Sequence, residues 1–260
     1  MHGEIDPATN ALGAPVSGTQ LTGIAVRRFT RFGVLIANAA HTTISADEFA
    51  DNDGYGLAAF WASDIRLLDN ASHDNHQGGF YLADSPAADA LVAGNRSYGN
   101  TGSEGFGIYI RDASSGVLRD NSAHDNCAGI LLVNGPLEGA TDDWTVRDNS
   151  VRDNSAACPP SEDIPLAISG FGIALLGTHN VVAESNHVTG NHPTIDTPLV
   201  GGILLASSAD LGGADPTGNL MQDNHAHDNA PADLIYDGSG TANQFTANSC
   251  DTSLPDGLCH

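Results

Sequence analysis

One phrase recurs along this 260-residue chain and restricts its fold more than any other feature: apolar-x-Asp-Asn-x-x-x-Asp-Asn. Copies start at Leu67-Leu68-Asp69-Asn70 and end at Asn75, and start at Leu118-Arg119-Asp120-Asn121 and end at Asn126. Two more run from Val146-Arg147-Asp148-Asn149 to Asn154 and from Met221-Gln222-Asp223-Asn224 to Asn229. Weaker copies hold Asn95 with Asn100 and Asn186 with Asn191; Asp47 with Asn52 is a substituted form and Asn248 a final half-copy. A fixed self-similar period marks a chain that stacks one small unit on the next.

A second phrase, Gly-apolar-x-apolar, follows each copy. It reads Gly79-Phe80-Tyr81-Leu82, Gly107-Ile108-Tyr109-Ile110, Gly129-Ile130-Leu131-Leu132 and Gly172-Ile173-Ala174-Leu175. The shortest spacing between these glycines is 22 to 23 residues. Each unit holds short period-two segments broken by Asn or Gly, and no 3.6-residue period is sustained. The pattern predicts an all-β chain, a single-stranded right-handed parallel β-helix (solenoid) of about eight rungs with Asn ladders. Asn at a rung corner tolerates a left-handed backbone, and stacked amides donate to one rung while accepting from the next. At ~4.8 Å per rung the rod is roughly 40 Å long.

Composition excludes several functions. The net charge is −23, and all nine basic residues are Arg. A phosphate-backbone binder needs clustered cations, so nucleic acid is not an expected partner. An anionic membrane surface is disfavoured in the same way, and no apolar run approaches a membrane span. Without Lys there is no P-loop, Schiff-base or Ser-Lys chemistry. At 16% charged and 40% hydrophobic residues, the chain is not a disordered acidic tail.

The Asn ladder and Gly-Ile phrases resemble the right-handed parallel β-helix repeat proteins, the superfamily of pectate lyases, mannuronan epimerases and NosD-type proteins. The resemblance covers residues 21–248 and implies the fold rather than one activity. Residues 1–20 are expected to cap or extend the first rung, and 249–260 to cap the other end, because an open end exposes strand edges. Four cysteines fit two disulfides, with Cys127–Cys158 and Cys250–Cys259 expected over the other connectivities; four buried thiols are the alternative. Met1-His2-Gly3-Glu4-Ile5-Asp6 shows no signal-peptide pattern. Cysteine placement and the resemblance nonetheless favour a secreted protein.

Solenoid insertions mark a working edge more often than the core does. Residues 155–171 and 192–201 sit at one point of neighbouring repeats and should form a wall. Outward positions of the Gly-Ile strand carry Trp61, Tyr81 and Tyr109 among Ala, Leu and Val. The reading is either an apolar face covered by loops or residues 1–20, or a groove that stacks sugar rings or apolar ligands. Asp84, Glu104, Arg111 and Asp112 gather at its middle. In mannuronan epimerases the corresponding strand carries Tyr-Gly-x-Asp-Pro-His-Asp. Here Phe106-Gly107-Ile108-Tyr109-Ile110-Arg111-Asp112 keeps only Gly107 and Asp112.

Three functions follow as expectations. The first is a polysaccharide lyase or epimerase, with Arg111 clamping a uronate carboxylate and Tyr109 moving a proton beside Asp84. Trp61, Tyr81, Glu104 and Asp112 would bind substrate. Ca²⁺ between Asp84 and Asp112 is possible but not required; both could equally be turn residues. The second is a non-catalytic glycan- or surface-binding solenoid, and the third a cyclase or isomerase on an apolar small molecule. The partner is a carbohydrate or apolar small molecule. His73, His124 and His227, each three after a ladder Asn, stack in one column too widely spaced to share a metal.

Overall fold

A computed structural model describes residues 1–9, 11–136, 140–161 and 164–259. Neighbouring turns pair in parallel: Tyr81 lies opposite Ala58 on one side and Tyr109 on the other. The strands fall into three columns. The Gly-apolar-x-apolar strands make the first, with Gly78–Ser85, Phe106–Ala113, Ala128–Val133, Phe171–Leu176 and Gly201–Ala206 as consecutive members. The segments before each first Asp-Asn make the second, among them Ala90–Ala93, Gly116–Arg119 and Trp144–Arg147. Val34–Ser45 and Tyr55–Leu68 run unbroken through both columns, which therefore join as one seventeen-stranded sheet. The third column lies between the two ladder positions and has nine strands, from Ala25–Arg27 to Ser249–Cys250.

Nine strands mean nine turns, one beyond the expected eight. The first turn escapes the pattern because Ile24 and Phe29 stand where later turns carry Asp or Asn. Their backbone N–H groups still donate to Asp47 (2.8 Å) and Asn52 (3.1 Å).

Both Asn ladders form. In one, the backbone N–H and Nδ2 of Asn95 each donate to Asn121 Oδ1 at 3.0 Å, and those of Asn121 to Asn149 at 3.0 Å. The second Nδ2 hydrogen of Asn121 goes back to Val92 O, 2.9 Å away. The other ladder runs from Asn52 through Asn126 to Asn229 and ends on Asp233. A buried amide with its donors and acceptor spent in this way carries no desolvation penalty.

The backbone at these corners differs from the expectation. The left-handed residue is not the ladder Asn but the Asp before it: Asp69, Asp74, Asp120 and Asp125 have φ of 54–56°. One residue must turn the chain and the next must point inward, so the two tasks are divided between Asp and Asn. Gly94 and Gly99 take the turning position elsewhere, at φ 68° and 66°. Much of the acidic charge thus accumulates at outer corners, where Arg or His one residue earlier meets it: Arg152–Asp153 at 2.8 Å, His124–Asp125 at 2.7 Å.

Inward residues build one continuous core from Ile36 to Leu234 along the rod. Trp144 is fully buried, with its indole N–H donating to Ala113 O at 2.8 Å. At the first end, Val16–Ser17 and Gln20–Thr22 already pair with Val34–Ser45, and the Met1 amine donates to Leu35 O. At the other, Ser253–Leu254 pairs with Leu234–Tyr236, and Cys250 bonds Cys259. No helix among the described residues is long and apolar enough to cross a membrane.

Candidate functional site

The outward face of the Gly-apolar-x-apolar column is not open. Tyr81, Tyr109, Leu131, Ala174 and Leu204 are all buried, in a second apolar cluster distinct from the solenoid core. Of the two sequence expectations, the covered face is the one observed. The cover is the wall built by residues 155–161, 164–171 and 192–201. Cys127 bonds Cys158, which pins the first insertion to the rod. Gly105 makes room for that bond: a Cβ there would stand 2.3 Å from Cys158 Sγ and 2.6 Å from Cys127 Sγ. Cys158 and Ile168 exchange backbone hydrogen bonds at 2.9 and 3.0 Å, closing the insertion on itself. Thr194 Oγ1 then donates to Ser155 O (2.8 Å) and Thr197 Oγ1 to Ala167 O (2.7 Å), joining the two insertions side by side.

At the edge of this cover is a pocket of about 280 Å³, lined by Phe32, Tyr55, Phe60, Gln77, Tyr81, Glu104, Tyr109, Arg111 and Ile164. Three tyrosines on successive turns stack within it. The Tyr55 and Tyr81 rings lie 4.9 Å apart and the Tyr81 and Tyr109 rings 4.7 Å apart, inclined by 24° and 19°. Phe60 meets Tyr81 edge-on at 5.4 Å. Tyr81 and Tyr109 are register partners and stack because strands stack. Tyr55 reaches the column from the start of its strand, across Gly78.

The polar groups concentrate around these rings. The Tyr55 hydroxyl donates to Glu104 Oε2, and Gln77 Nε2 to Glu104 Oε1 at 3.2 Å. Arg111 lies over the Tyr81 ring, 5.6 Å from its centroid, a cation–π contact. Its Nη2 is 3.5 Å from Asp84 Oδ1 and its Nε 3.6 Å from Asp112 Oδ2. Burial keeps the phenols protonated. Desolvation, helped by the Glu104 charge, holds Tyr55 far above the ordinary phenol value. Burial also raises Tyr81, and pushes Tyr109 up to about 12 against the opposing pull of Arg111. For Arg111, burial alone would weaken the proton's hold, but Tyr81, Tyr109, Asp84 and Asp112 outweigh it.

The structure brings together Tyr81, Glu104, Tyr109 and Arg111 of the expected residues. Of the other three, Asp84 and Asp112 reach the Arg111 guanidinium at 3.5 and 3.6 Å, while Trp61 lies outside this pocket. These three sit inside Tyr55–Leu68, Gly78–Ser85 and Phe106–Ala113 but at left-handed positions, with φ of 50°, 52° and 48°. Trp61 therefore lines a different hollow, with Leu12, Asp84 and Pro86. Asp112 is fully buried and accepts the Gly135 N–H at 2.6 Å, the bond expected of a turn residue. Asp84 is the salt-bridge partner of Arg111. A Ca²⁺ ion between the two carboxylates would have to displace that guanidinium.

Tyr55, Gln77 and Ile164 carry no mark in the repeat pattern outlined above. One signal does point to Tyr55: an aromatic residue precedes the glycine in Phe32-Gly33, Tyr55-Gly56, Phe106-Gly107 and Phe171-Gly172. The expected His column also forms, with the His73, Tyr98 and His124 rings stacked at 4.6 and 5.2 Å on the nine-stranded sheet.

Comparison with known proteins agrees with the fold. The profile described as a right handed beta helix region matches residues 9–138. Among solved structures, the Dettilon tailspike protein is 16% identical at a TM-score of 0.52, over 90% of this chain and 54% of its own. The A-module of the Azotobacter vinelandii mannuronan C-5 epimerase AlgE4 is 16% identical at 0.49, over 84% of this chain and 61% of its own. The periplasmic alginate epimerase AlgG is 12% identical at 0.46, over 86% and 60%. This chain thus spans about half to three fifths of the length of these structures. No curated protein matches.

Proposed function

The chain belongs to the right-handed β-helix family, and on that scaffold we propose that the Arg111 pocket recognises an acidic sugar unit and supports proton abstraction beside its carboxylate. The observation that carries this reading is the position of Arg111: a guanidinium over an aromatic ring, next to buried phenols and a carboxylate, in one small pocket. Aromatic faces take the apolar face of a sugar ring. A guanidinium fork takes a carboxylate. The pocket's size and its loop cover favour one terminal sugar over a polymer threaded along the rod. The net charge of −23 favours the same, since it repels a polyanion.

The roles follow from protonation. Tyr109 keeps its proton up to a pH of about 12, so it serves as an acid and not as a base. Glu104 is the carboxylate that lines the pocket. It would remove the proton from the carbon bearing the uronate carboxylate, leaving the electron pair on that carboxylate as an enediolate held by Arg111. In elimination the pair returns to form a carbon–carbon double bond to the neighbouring ring carbon, the oxygen on that carbon departs, and Tyr109 gives it a proton, so that a methyl uronide loses water. In epimerisation Tyr109 instead returns a proton to the opposite face of the same carbon.

Titration calorimetry with a panel of methyl uronides tests recognition, using wild type, Arg111→Ala and Arg111→Lys. Binding should vanish with Ala and return only in part with Lys, because one ammonium cannot form two parallel hydrogen bonds. Wild-type affinity in Arg111→Ala would move the site elsewhere. The same mixtures, followed for ultraviolet absorbance of an unsaturated uronate and by proton exchange with deuterated solvent, test the chemistry. Binding without either signal would make this a glycan-binding solenoid.

A further inference from the structure

A second pocket of about 290 Å³ adjoins the first, and Tyr109, Arg111 and Ile164 line both. Its character is different. Leu131, Val133 and Leu176 form its floor on the strands; Ile168 and Leu199 come from the two insertions and Leu211 from the connection beyond residue 206. Arg111, at the junction, is the charged side chain among its described lining residues. Leu211 is 47% exposed and Leu199 half-buried, so apolar surface faces solvent here.

We propose that this compartment is an aglycone subsite and that the natural ligand is an amphipathic acidic glycoside: one sugar acid joined to an aryl or alkyl group. This rests on the reading of the Arg111 pocket as a sugar-acid site. Three observations commit the second pocket to the other end of the same ligand. The two compartments share three lining residues, so one molecule can occupy both. The polar groups Tyr55, Gln77 and Glu104 line only the first, and the leucines only the second. Arg111 stands where the two meet, so a carboxylate held there sits beside both compartments. A free sugar would leave the leucines wet, and a plain hydrocarbon would leave the Arg111 end without a counter-charge.

The test is calorimetric titration of the full chain with matched methyl and p-nitrophenyl glycosides of glucuronic, galacturonic and mannuronic acid. At least one p-nitrophenyl uronide should bind ten-fold or more tightly than its methyl counterpart. The Leu199→Asn, Leu211→Asn double variant, altered only at the loop side of the apolar pocket, should lose that advantage while binding the methyl uronide as wild type does. Its circular dichroism and melting temperature check that it is folded. Equal affinity for methyl and aryl uronides overturns the aglycone subsite and leaves the Arg111 reading intact. An aryl advantage that survives the double variant also overturns it. Failure of every uronide to bind overturns both.

Discussion

Tyr55 and Gly78 are register partners on adjacent turns, and the missing side chain of Gly78 is what admits the Tyr55 ring to the site. A Cβ on Gly78 would stand 2.7 Å from Tyr55 Cε1 and 2.7 Å from Phe106 O. The ring instead lies across that space, stacks on Tyr81 and places its hydroxyl on Glu104. One absent methyl group therefore couples the pitch of the solenoid to the chemistry of the pocket.

Gly78→Ala should break this coupling. Its backbone is compatible with alanine, so the cost comes from overpacking, about 1–3 kcal/mol. Thermal melts should show the loss of stability, and uronide titration should show weaker binding. An unchanged melting temperature together with unchanged binding would mean that the Tyr55 ring does not need the space.

Asn121→Leu tests the ladder. The substitution removes two donors and one acceptor and leaves the Asn95 amide without its partner on the next turn. Buried groups orphaned in this way should cost about 2–4 kcal/mol. Chemical denaturation measures it. A comparable substitution at Asn248, in the last ladder position, should cost less because no further turn depends on it.

The two disulfides should differ in worth. Cys127 and Cys158 are 31 residues apart and Cys250 and Cys259 only 9, so the first restricts the unfolded chain more. Replacing the first pair with Ser should cost about 3–4 kcal/mol on the chain-entropy estimate. It should also weaken ligand binding, because the insertion that covers the site is released. Replacing the second pair should lower stability less and leave binding unchanged.

Alkaline pH should unfold the site before it ionises it. Tyr109 has its pKa raised from 10.0 to about 12 in the folded protein, and Tyr55 and Tyr81 are raised as well. A group whose folded pKa lies above its unfolded value contributes its full stability below the unfolded value. That contribution fades as pH climbs past 10 and is lost as pH rises through the folded value. Tyrosinate absorbance and circular dichroism, followed together from pH 9 to roughly 12.5, should show these phenols ionising with loss of structure. Three phenols that ionise near pH 10 in a folded chain would contradict their burial.

The Tyr81, Tyr109 and Arg111 column was legible because each residue follows a repeated Gly at a fixed offset. The directions of the Trp61 and Asp112 side chains were not legible from their offset, because each sits at a position inside its strand where φ turns positive and the alternation of side chains is interrupted. Asn121 was legible as a ladder residue, yet the turning role belonged to Asp120, a division that the Asp-Asn pair does not announce. Glu104 was identified as polar and nearby, but its bond to Tyr55 joins residues 49 apart and appears in no local pattern.

The sequence by itself determined the solenoid and its ladders, because each turn repeats the same nearest-neighbour contacts and so writes them many times. Tertiary structure decided that the outward face is a covered pocket rather than an open groove. The insertions at 155–171 and 192–201 occur once each, and where they lie depends on Gly105, Cys158, Thr194 and Thr197 meeting across the rod. Periodic contacts are legible one repeat at a time; a single long-range closure exists only when all of its parts are in place.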